Sequence, residues 1–317
     1  MKQYIKIIMT VILVCGMVSC DRDEVFEREQ YKNVFAIVSG TDNIYTWVHD
    51  LRKPESEGYV TASLGGTNPS KNDIRIMLVE DSELIDAYNL AAFDMNTSKY
   101  IQPLEKSKYT IDSYEFTIPA GEVRASIPVR IRPEGISPDS SYFIALKVDS
   151  YSACELNPDK DYLLYQVRTK NWWAVSGGTT YMQRGNQLEA GSTGNPSQII
   201  GAKSLYPLAP ATVRVLAGNE LNDNSNREIF DRYSMMLTIG EDDKIQILPY
   251  KDLEVTQIDG DSDFPNRVIL ENDRFKNHKT LLLCYSYKSS NGRTYDVREE
   301  LRLEYREDPQ DPRFLTE

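Results

Sequence analysis

Cysteine is the first residue type in this chain with chemistry to offer, and there are four of them. Cys20 closes the word Met17-Val18-Ser19-Cys20, after Lys2, Lys6 and an apolar run from Ile7 to Val18. A charged start, a short apolar stretch and a small residue at the cut describe an export signal, too short to be an ordinary membrane span. A cysteine at the cut itself is the lipobox pattern, in which the thiol is acylated and becomes the new N-terminus. Residues 1–19 then form a lipoprotein signal peptide. The polar run Asp21-Arg22-Asp23-Glu24 that follows at once argues against an uncleaved anchor helix. Cys15 leaves with the signal, and Cys154 and Cys284 remain, far apart in sequence. They are expected as two isolated buried thiols, since free cysteine behaves as a small core hydrophobe, although an exported chain permits a disulfide.

Acid–base and metal chemistry have little to work with. The chain holds two histidines, His49 and His278. A Ser-His-Asp arrangement would have to use one of them, and no Gly-x-Ser-x-Gly elbow is present. His49 stands beside Trp47 in a polar stretch and His278 in the turn Lys276-Asn277-His278-Lys279, so both read as surface histidines. No Cys/His cluster has zinc spacing. Carboxylates are abundant, and a glycosidase needs two of them across a cleft at a set distance, which spacing in sequence does not define. Glu299-Glu300 alternate across a strand, so one at most faces any site, and they read as solvated charge. Asp259-Gly260-Asp261-Ser262-Asp263 lacks the twelve-residue calcium pattern with its closing Glu and reads as an acidic turn. No catalytic residue, metal ligand or cofactor is assigned.

Aromatic residues are the better lead. Sugar rings present flat C–H faces that pack on Trp and Tyr, while their hydroxyls need amide, carboxylate or guanidinium groups nearby. Aromatic side chains supply much contact area for few rotatable bonds. Trp172-Trp173 is followed closely by Tyr181, Gln183, Arg184 and Asn186. If Trp172 to Ala174 is extended, the two indoles point to opposite faces, one into a core and one outward. The competing role for the pair is interdomain packing. Trp47, with Tyr45 and Asp50, is a second candidate of the same kind.

The elements that must position these groups are strands. Val123, Ala125, Ile127, Val129 and Ile131 alternate with Arg124, Ser126, Pro128, Arg130 and Arg132, as expected of a half-buried strand. Pro128 cannot donate to a ladder, which places this strand at an edge or a bulge. Val60, Ala62 and Leu64 repeat the pattern, as do Ile74, Ile76 and Leu78, then Tyr142, Ile144, Leu146 and Val148; Tyr162 to Thr169 is another apolar run. One short helix fits Ser82 to Leu90, capped by Asp81 or Ser82. Strands separated by Gly, Pro and Asn turns predict an all-β chain opening with an Ig-like antiparallel β-sandwich. After Lys170-Asn171-Trp172-Trp173 the chain turns rich in Gly, Ser, Thr and Asn as far as Ser197, and strand signals resume at Thr212. Ser289-Ser290-Asn291-Gly292, between two alternating runs, is a strong hairpin signal. The expected organisation is a signal at 1–19, a lipidated tether at 20–32, a sandwich at 33–169, a second antiparallel β-domain at 170–306 and a loose tail at 307–317. Periodicity leaves barrel and sandwich both open for the second domain.

Acidic residues outnumber basic ones by 48 to 36, and loss of Lys2 and Lys6 with the signal moves the net charge from −12 to −14. Such a chain is repelled by nucleic acid. After the signal, no segment approaches the apolar length needed to cross a bilayer, so lipid on Cys20 would hold an otherwise soluble body.

The stretch Tyr59 to Val148 resembles the N-terminal β-sandwich of lipoproteins from Bacteroidetes polysaccharide-utilisation loci. The matching words are Gly65-Gly66, Asp73-Ile74, Asp86-Ala87-Tyr88-Asn89, Tyr109 and, most specifically, Phe116-Thr117-Ile118-Pro119-Ala120-Gly121-Glu122 before an alternating strand and Tyr142. The C-terminal half is similar to the lipocalin-like antiparallel β-barrel that often follows, through Leu281 to Tyr287, Asn291-Gly292 and Tyr295 to Leu303. The acidic residues after Cys20 are similar to the surface-export signal of such lipoproteins. The resemblance implies an outer-membrane protein facing outward, lipid-anchored at Cys20 and active beside a glycan importer. It would be a non-catalytic accessory that binds oligo- or polysaccharide through aromatic stacking. Alternatives are a structural subunit docking onto the importer and, less favoured, a carboxylate-dependent glycoside hydrolase, for which no further domain fits in the chain.

Overall fold

A computed structural model of the chain describes residues 31–221, 227–272 and 276–306. The expected signal peptide, Cys20, the expected tether as far as Gln30 and the expected tail at 307–317 lie outside the described residues. Among the described residues the fold is all-β, with two short α-helices.

The first domain stacks two sheets. Its strands are β1 (Val34–Ile37), β2 (Ile44–Asp50), β3 (Ser56–Gly65), β4 (Ile74–Glu80), β5 (Gln102–Pro103), β6 (Tyr109–Thr110), β7 (Glu115–Ile118), β8 (Arg124–Ile131), β9 (Tyr142–Tyr151), β10 (Glu155–Leu156) and β11 (Tyr162–Lys170). One sheet runs β10-β1-β3-β8-β6 and the other β2-β11-β9-β4-β7, with β5 beside β9. Alternation does the sorting: Val60, Ala62 and Leu64 from β3 and Ile127, Val129 and Ile131 from β8 meet Ile74, Ile76, Leu78, Ile144 and Leu146 in one buried cluster. Pairing is antiparallel except for β1–β10, β2–β11 and β5–β9, which run parallel, a departure from the fully antiparallel sandwich expected. Pro128 sits where β8 has β3 on one side only, because β6 reaches no further than Arg130 and Ile131. Helix α1 (Glu83–Phe93) packs Ile85 against β9, and its buried Asn89 exchanges two hydrogen bonds with the backbone of Ile101, at 2.8 and 3.0 Å. The Pro119-Ala120-Gly121-Glu122 word is a tight turn: Glu122 N donates to Pro119 O at 3.0 Å, and Gly121 takes φ 86, which favours glycine.

The second domain is a strongly curved sheet of β12 (Thr179–Glu189), β13 (Ser197–Ala209), β14 (Thr212–Leu216), β15 (Ser234–Ile239), β16 (Ile245–Pro249), β17 (Val255–Gln257), β18 (Arg267–Asn272), β19 (Asn277–Lys288) and β20 (Thr294–Tyr305), with helix α2 (Arg227–Tyr233) between β14 and β15. The order is β16-β15-β14-β13-β12-β20-β19-β17, and β18 also pairs with β19. The barrel nearly closes between its end strands. Ile245 N donates to Asn266 O and Val268 N to Asp243 O, both at 2.8 Å, and the Gln257 side chain accepts from Ile247 N at 2.7 Å. Asn266 is buried in left-handed backbone at φ 52, and its side chain ties Ile258 O and Cys284 N together.

Two devices join the domains. Asn171, just after β11, donates to Ala209 O and Thr212 O and accepts from Trp173 N and Ala174 N. Asp139, on the loop between β8 and β9, forms an ion pair with Arg214 of β14; the two side chains are 4% and 1% exposed. The Arg214 guanidinium lies 4.3 Å from the Phe230 ring centroid, 4.9 Å from Tyr250 and 5.0 Å from Tyr206. Tyr250 also donates to Asp139, at 3.1 Å. Truncating one partner strands a buried charge, so Arg214→Ala should cost about 3–5 kcal/mol. Calorimetry should then resolve separate melting of sandwich and barrel, while Arg214→Lys keeps the charge but loses the planar stacking and falls between.

Candidate functional site

One end of the barrel carries an open cleft of about 310 Å³, lined by Arg232, Tyr233, Asp252, Glu254, Lys288, Ser289, Ser290 and Gly292. Three pieces of chain meet there. The end of α2 brings Arg232 and Tyr233, fixed where Ala217 N donates to Tyr233 O at 2.9 Å. The link from β16 to β17 brings Asp252 and Glu254, tied to the neighbouring walls where Asp252 N donates to Asp231 O at 3.1 Å and Lys288 N to Glu254 O at 3.0 Å. The β19–β20 hairpin brings the rest, closing at Gly292 (φ 81), whose N–H donates to Ser289 O. Glu220 braces that hairpin from behind by accepting from Ser289 Oγ at 2.6 Å and Ser290 N at 2.9 Å. Lys288 pairs with Glu254 at 2.8 Å and Arg232 with Glu228 at 2.6 Å. Tyr233, half-buried and packed on one side against the barrel core, thus forms one wall of a concavity whose other walls carry cations, carboxylates and hydroxyls.

The segment Ala217–Glu220 links this cleft to a polar cluster sealed inside the barrel. Glu299 is fully buried and accepts from Lys203 at 3.0 and 2.8 Å, from Gln183 at 2.6 Å and from Tyr285 at 2.6 Å. Gln183 also donates to Gly218 O at 3.0 Å, and Gly218 N donates to Tyr285 Oη at 2.6 Å. Burial pulls the Lys203 ammonium below its ordinary pKa, against the opposing field of Glu299. It pushes the Tyr285 hydroxyl well up, and Glu299 adds to that. Gly218 takes φ 49, and a Cβ there would come within 2.3 Å of the Tyr287 ring, so the segment lies flat over the barrel core only with glycine at this position. Fully buried and with both oxygens hydrogen-bonded, this carboxylate ties β12, β13, β19 and β20 together inside the barrel.

The residues singled out from sequence fall in different places. Trp172 and Trp173 are 8% and 2% exposed, and neither offers an open ring face. A bend set by Asn171, rather than an extended strand, turns both indoles into the barrel core, where they meet edge to face at 4.5 Å. Lys279 fills the position a ligand would need, with its ammonium 3.9 Å from the Trp172 ring centroid and 5.0 Å from Tyr305. Tyr181 is fully buried and donates to Trp173 O at 2.8 Å, Gln183 belongs to the sealed cluster, and Arg184 points outward on β12. Trp47 keeps partial exposure at the edge of the sandwich, while Asp50 is held by Arg52. The cleft contains none of these residues.

Other expectations change as well. His49 is no surface histidine: it is fully buried, its ring nitrogens 3.1 Å from Ser56 Oγ and 3.2 Å from Tyr165 Oη. Glu299 is not solvated charge. Cys154 and Cys284 are free thiols, but only Cys284 is buried, because Cys154 sits in a turn at φ 63. In the acidic turn, Asp261 accepts from Asp263 N, Phe264 N and Arg298, and the Arg298 hydrogen bond leads in holding its carboxyl below the usual range.

The fold and its cleft can be set beside known proteins. A family model for an N-terminal domain matches residues 30–154, and its companion for the C-terminal domain matches residues 161–302. Each of the two domains thus belongs to the domain family whose model it matches. Solved structures with the same architecture include a protein of unknown function from Bacteroides ovatus, 17% identical, covering 92% of this chain and 96% of that one at TM-score 0.63. A second B. ovatus protein of unknown function is 15% identical over 89% of this chain and 99% of its own, also at 0.63. An auxiliary nutrient binding protein from Bacteroides thetaiotaomicron is 14% identical over 84% and 92%, at 0.60. No curated protein matches the chain by sequence. At these identities, what the chain shares with these Bacteroides proteins is the fold.

Burial lowers the His49 pKa from 6.5 to about 4, with the Ser56 hydrogen bond opposing. Between those values the unfolded chain binds a proton that the folded chain rejects. Stability due to this residue is therefore complete above the unfolded pKa and is lost as pH falls, by up to about 3 kcal/mol. Urea unfolding from neutral pH down to about pH 4.5 should show that loss, and His49→Gln should flatten the slope. Equal slopes in the two proteins would contradict the assignment.

Proposed function

We propose that this protein captures a glycan without cleaving it, at the cleft on the end of the barrel. The observation that carries the reading is Tyr233 standing in a concavity of about 310 Å³ among Arg232, Lys288, Asp252, Glu254, Ser289 and Ser290. A tyrosine ring can pack on the C–H face of a sugar while paired charges and hydroxyls exchange hydrogen bonds with its rim. Cleavage would need two carboxyls facing each other across the bound bond. Asp252 and Glu254 come from one short segment, and Glu254 already pairs with Lys288. Glu299 is walled off. Nutrient binding is also the role in the name of the B. thetaiotaomicron protein of the same architecture. Lipid on Cys20 would confine the protein to the outer membrane, facing outward, where an importer could take what it holds.

Two measurements test this. Calorimetric titration of the full-length protein with plant and yeast polysaccharide oligomers should give binding that Tyr233→Ala weakens about tenfold, as expected for loss of one stacked ring. Sugar release, or binding untouched by Tyr233→Ala together with Lys288→Ala, would defeat the capture site. In cells fed labelled palmitate, the protein should carry label and sediment with membranes, and Cys20→Ala should abolish both; a labelled Cys20→Ala protein would defeat the anchor.

A further inference from the structure

The chain has three tryptophans, and the two at the domain junction are buried, which leaves Trp47 as the indole that reaches solvent. Its seat is unusual. Gly58 lies in the interior of β3, where glycine weakens a strand. A Cβ at residue 58 would stand 2.0 Å from Tyr165 Oη and 3.0 Å from Trp47 Cγ. The glycine therefore lets the indole lie against the backbone of β3, and Trp47 Nε1 is fixed by donating to Tyr59 O at 2.9 Å. Tyr45 and Tyr59 flank it with ring centroids 5.9 and 5.8 Å away, and Tyr59 is 39% exposed. Beside this row the same strand presents Glu57, which accepts from the Tyr59 hydroxyl and faces Arg130 of β8 at 4.0 Å. Tyr45 and Trp47 are half-buried and pack on one side against the sandwich core, while Tyr59 and the charged groups beside it face solvent.

We propose that Tyr45, Trp47 and Tyr59 form a second saccharide-binding platform, on the sandwich domain, that takes an extended neutral oligosaccharide. The three rings tilt by 53° and 60° from one to the next, which suits a linear chain whose successive pyranose units turn. With Arg130 already bonded to Asp112 at 2.7 Å beside Glu57, the rim has no free cation for a uronate or sulfate and suits hydroxyls. The platform rests on the glycan-capture reading but not on the barrel cleft, and the two separate experimentally because the cleft contains no tryptophan.

The test is acrylamide quenching of tryptophan emission in the full-length protein, alone and with cellohexaose, xylohexaose or mannohexaose. Trp47→Phe should remove most of the quenchable emission. A hexasaccharide that occupies the platform should shield Trp47, and Tyr59→Ala, at an exposed position that leaves the core intact, should weaken the shielding about tenfold. Tyr233→Ala should leave it unchanged. Calorimetric binding that depends on Tyr233 without any shielding of Trp47 overturns the platform and spares the cleft. Shielding that survives Tyr233→Ala, with total affinity unaltered by that change, upholds the platform and overturns the cleft. Absence of binding by all three sugars overturns both.

Discussion

A guanidinium shut away from water must be neutralised and packed, and Arg214 is both. Its charge is met by Asp139 from the other domain, and its faces are enclosed by Tyr206, Phe230 and Tyr250. Desolvating two charges is costly, so such a pair adds little net stability over an apolar contact of the same shape. What it does supply is direction. An apolar interface tolerates sliding, whereas a planar cation boxed by three rings and bonded to one carboxylate has a single good geometry. The loop between β8 and β9 is thereby pinned to β14, and Asn171 pins the chain on the other side of the junction. The contacts that fix the junction here are polar and directional.

The barrel interior follows the same logic. Small β-barrels usually fill their cores with aliphatic side chains. Here one end of the core is given to Glu299, Lys203, Gln183 and Tyr285, each partner satisfied by another. Removing any one would leave a charge or a donor unpaired in a low-dielectric place, so the four stand or fall together. The cluster also reaches Gly218, which fixes the segment running to Glu220, and Glu220 in turn braces the hairpin of Ser289 and Ser290. Rigid support for the cleft wall is thus continuous with the buried cluster. Preformed walls matter for a sugar site, because ordering loops on binding would consume much of the small gain each hydroxyl contact brings.

Where the pattern is strong, the strands were legible from residue types alone: β3, β4 and β8 carry a period of two, β9 and β11 are apolar runs buried on both faces, and the hairpin turn at Asn291-Gly292 is where its composition puts it. Strands β12 and β13 were not legible, and the reason is physical. Their inward positions include Gln183 and Lys203, which serve the polar cluster, and Gly185, where a Cβ would come within 2.1 Å of Arg298 O. Polar and glycine residues there read as a loop because their partners lie more than 90 residues away on β20. The site was hidden for a related reason. Tyr233, Asp252 and Ser289 belong to a helix end, a link between strands and a hairpin, and their proximity is a property of barrel closure, which no local period encodes. The tryptophan pair misled because two indoles in sequence look like a platform until Lys279, also over 100 residues away, is seen to fill the space between them and Tyr305.

Rigidity and weak binding belong together here. A single ring stacked on a single sugar gives little affinity, and an open, hydrated cleft adds only modestly to it. Two such sites on one chain would change the arithmetic, since a second contact would form at an effective concentration set by their separation and not by bulk ligand. A polymer long enough to span both would gain from that, while a short oligomer released from either site would escape freely. The Arg214–Asp139 clasp is what would make that gain possible, because domains free to turn would lose the fixed separation on which it depends.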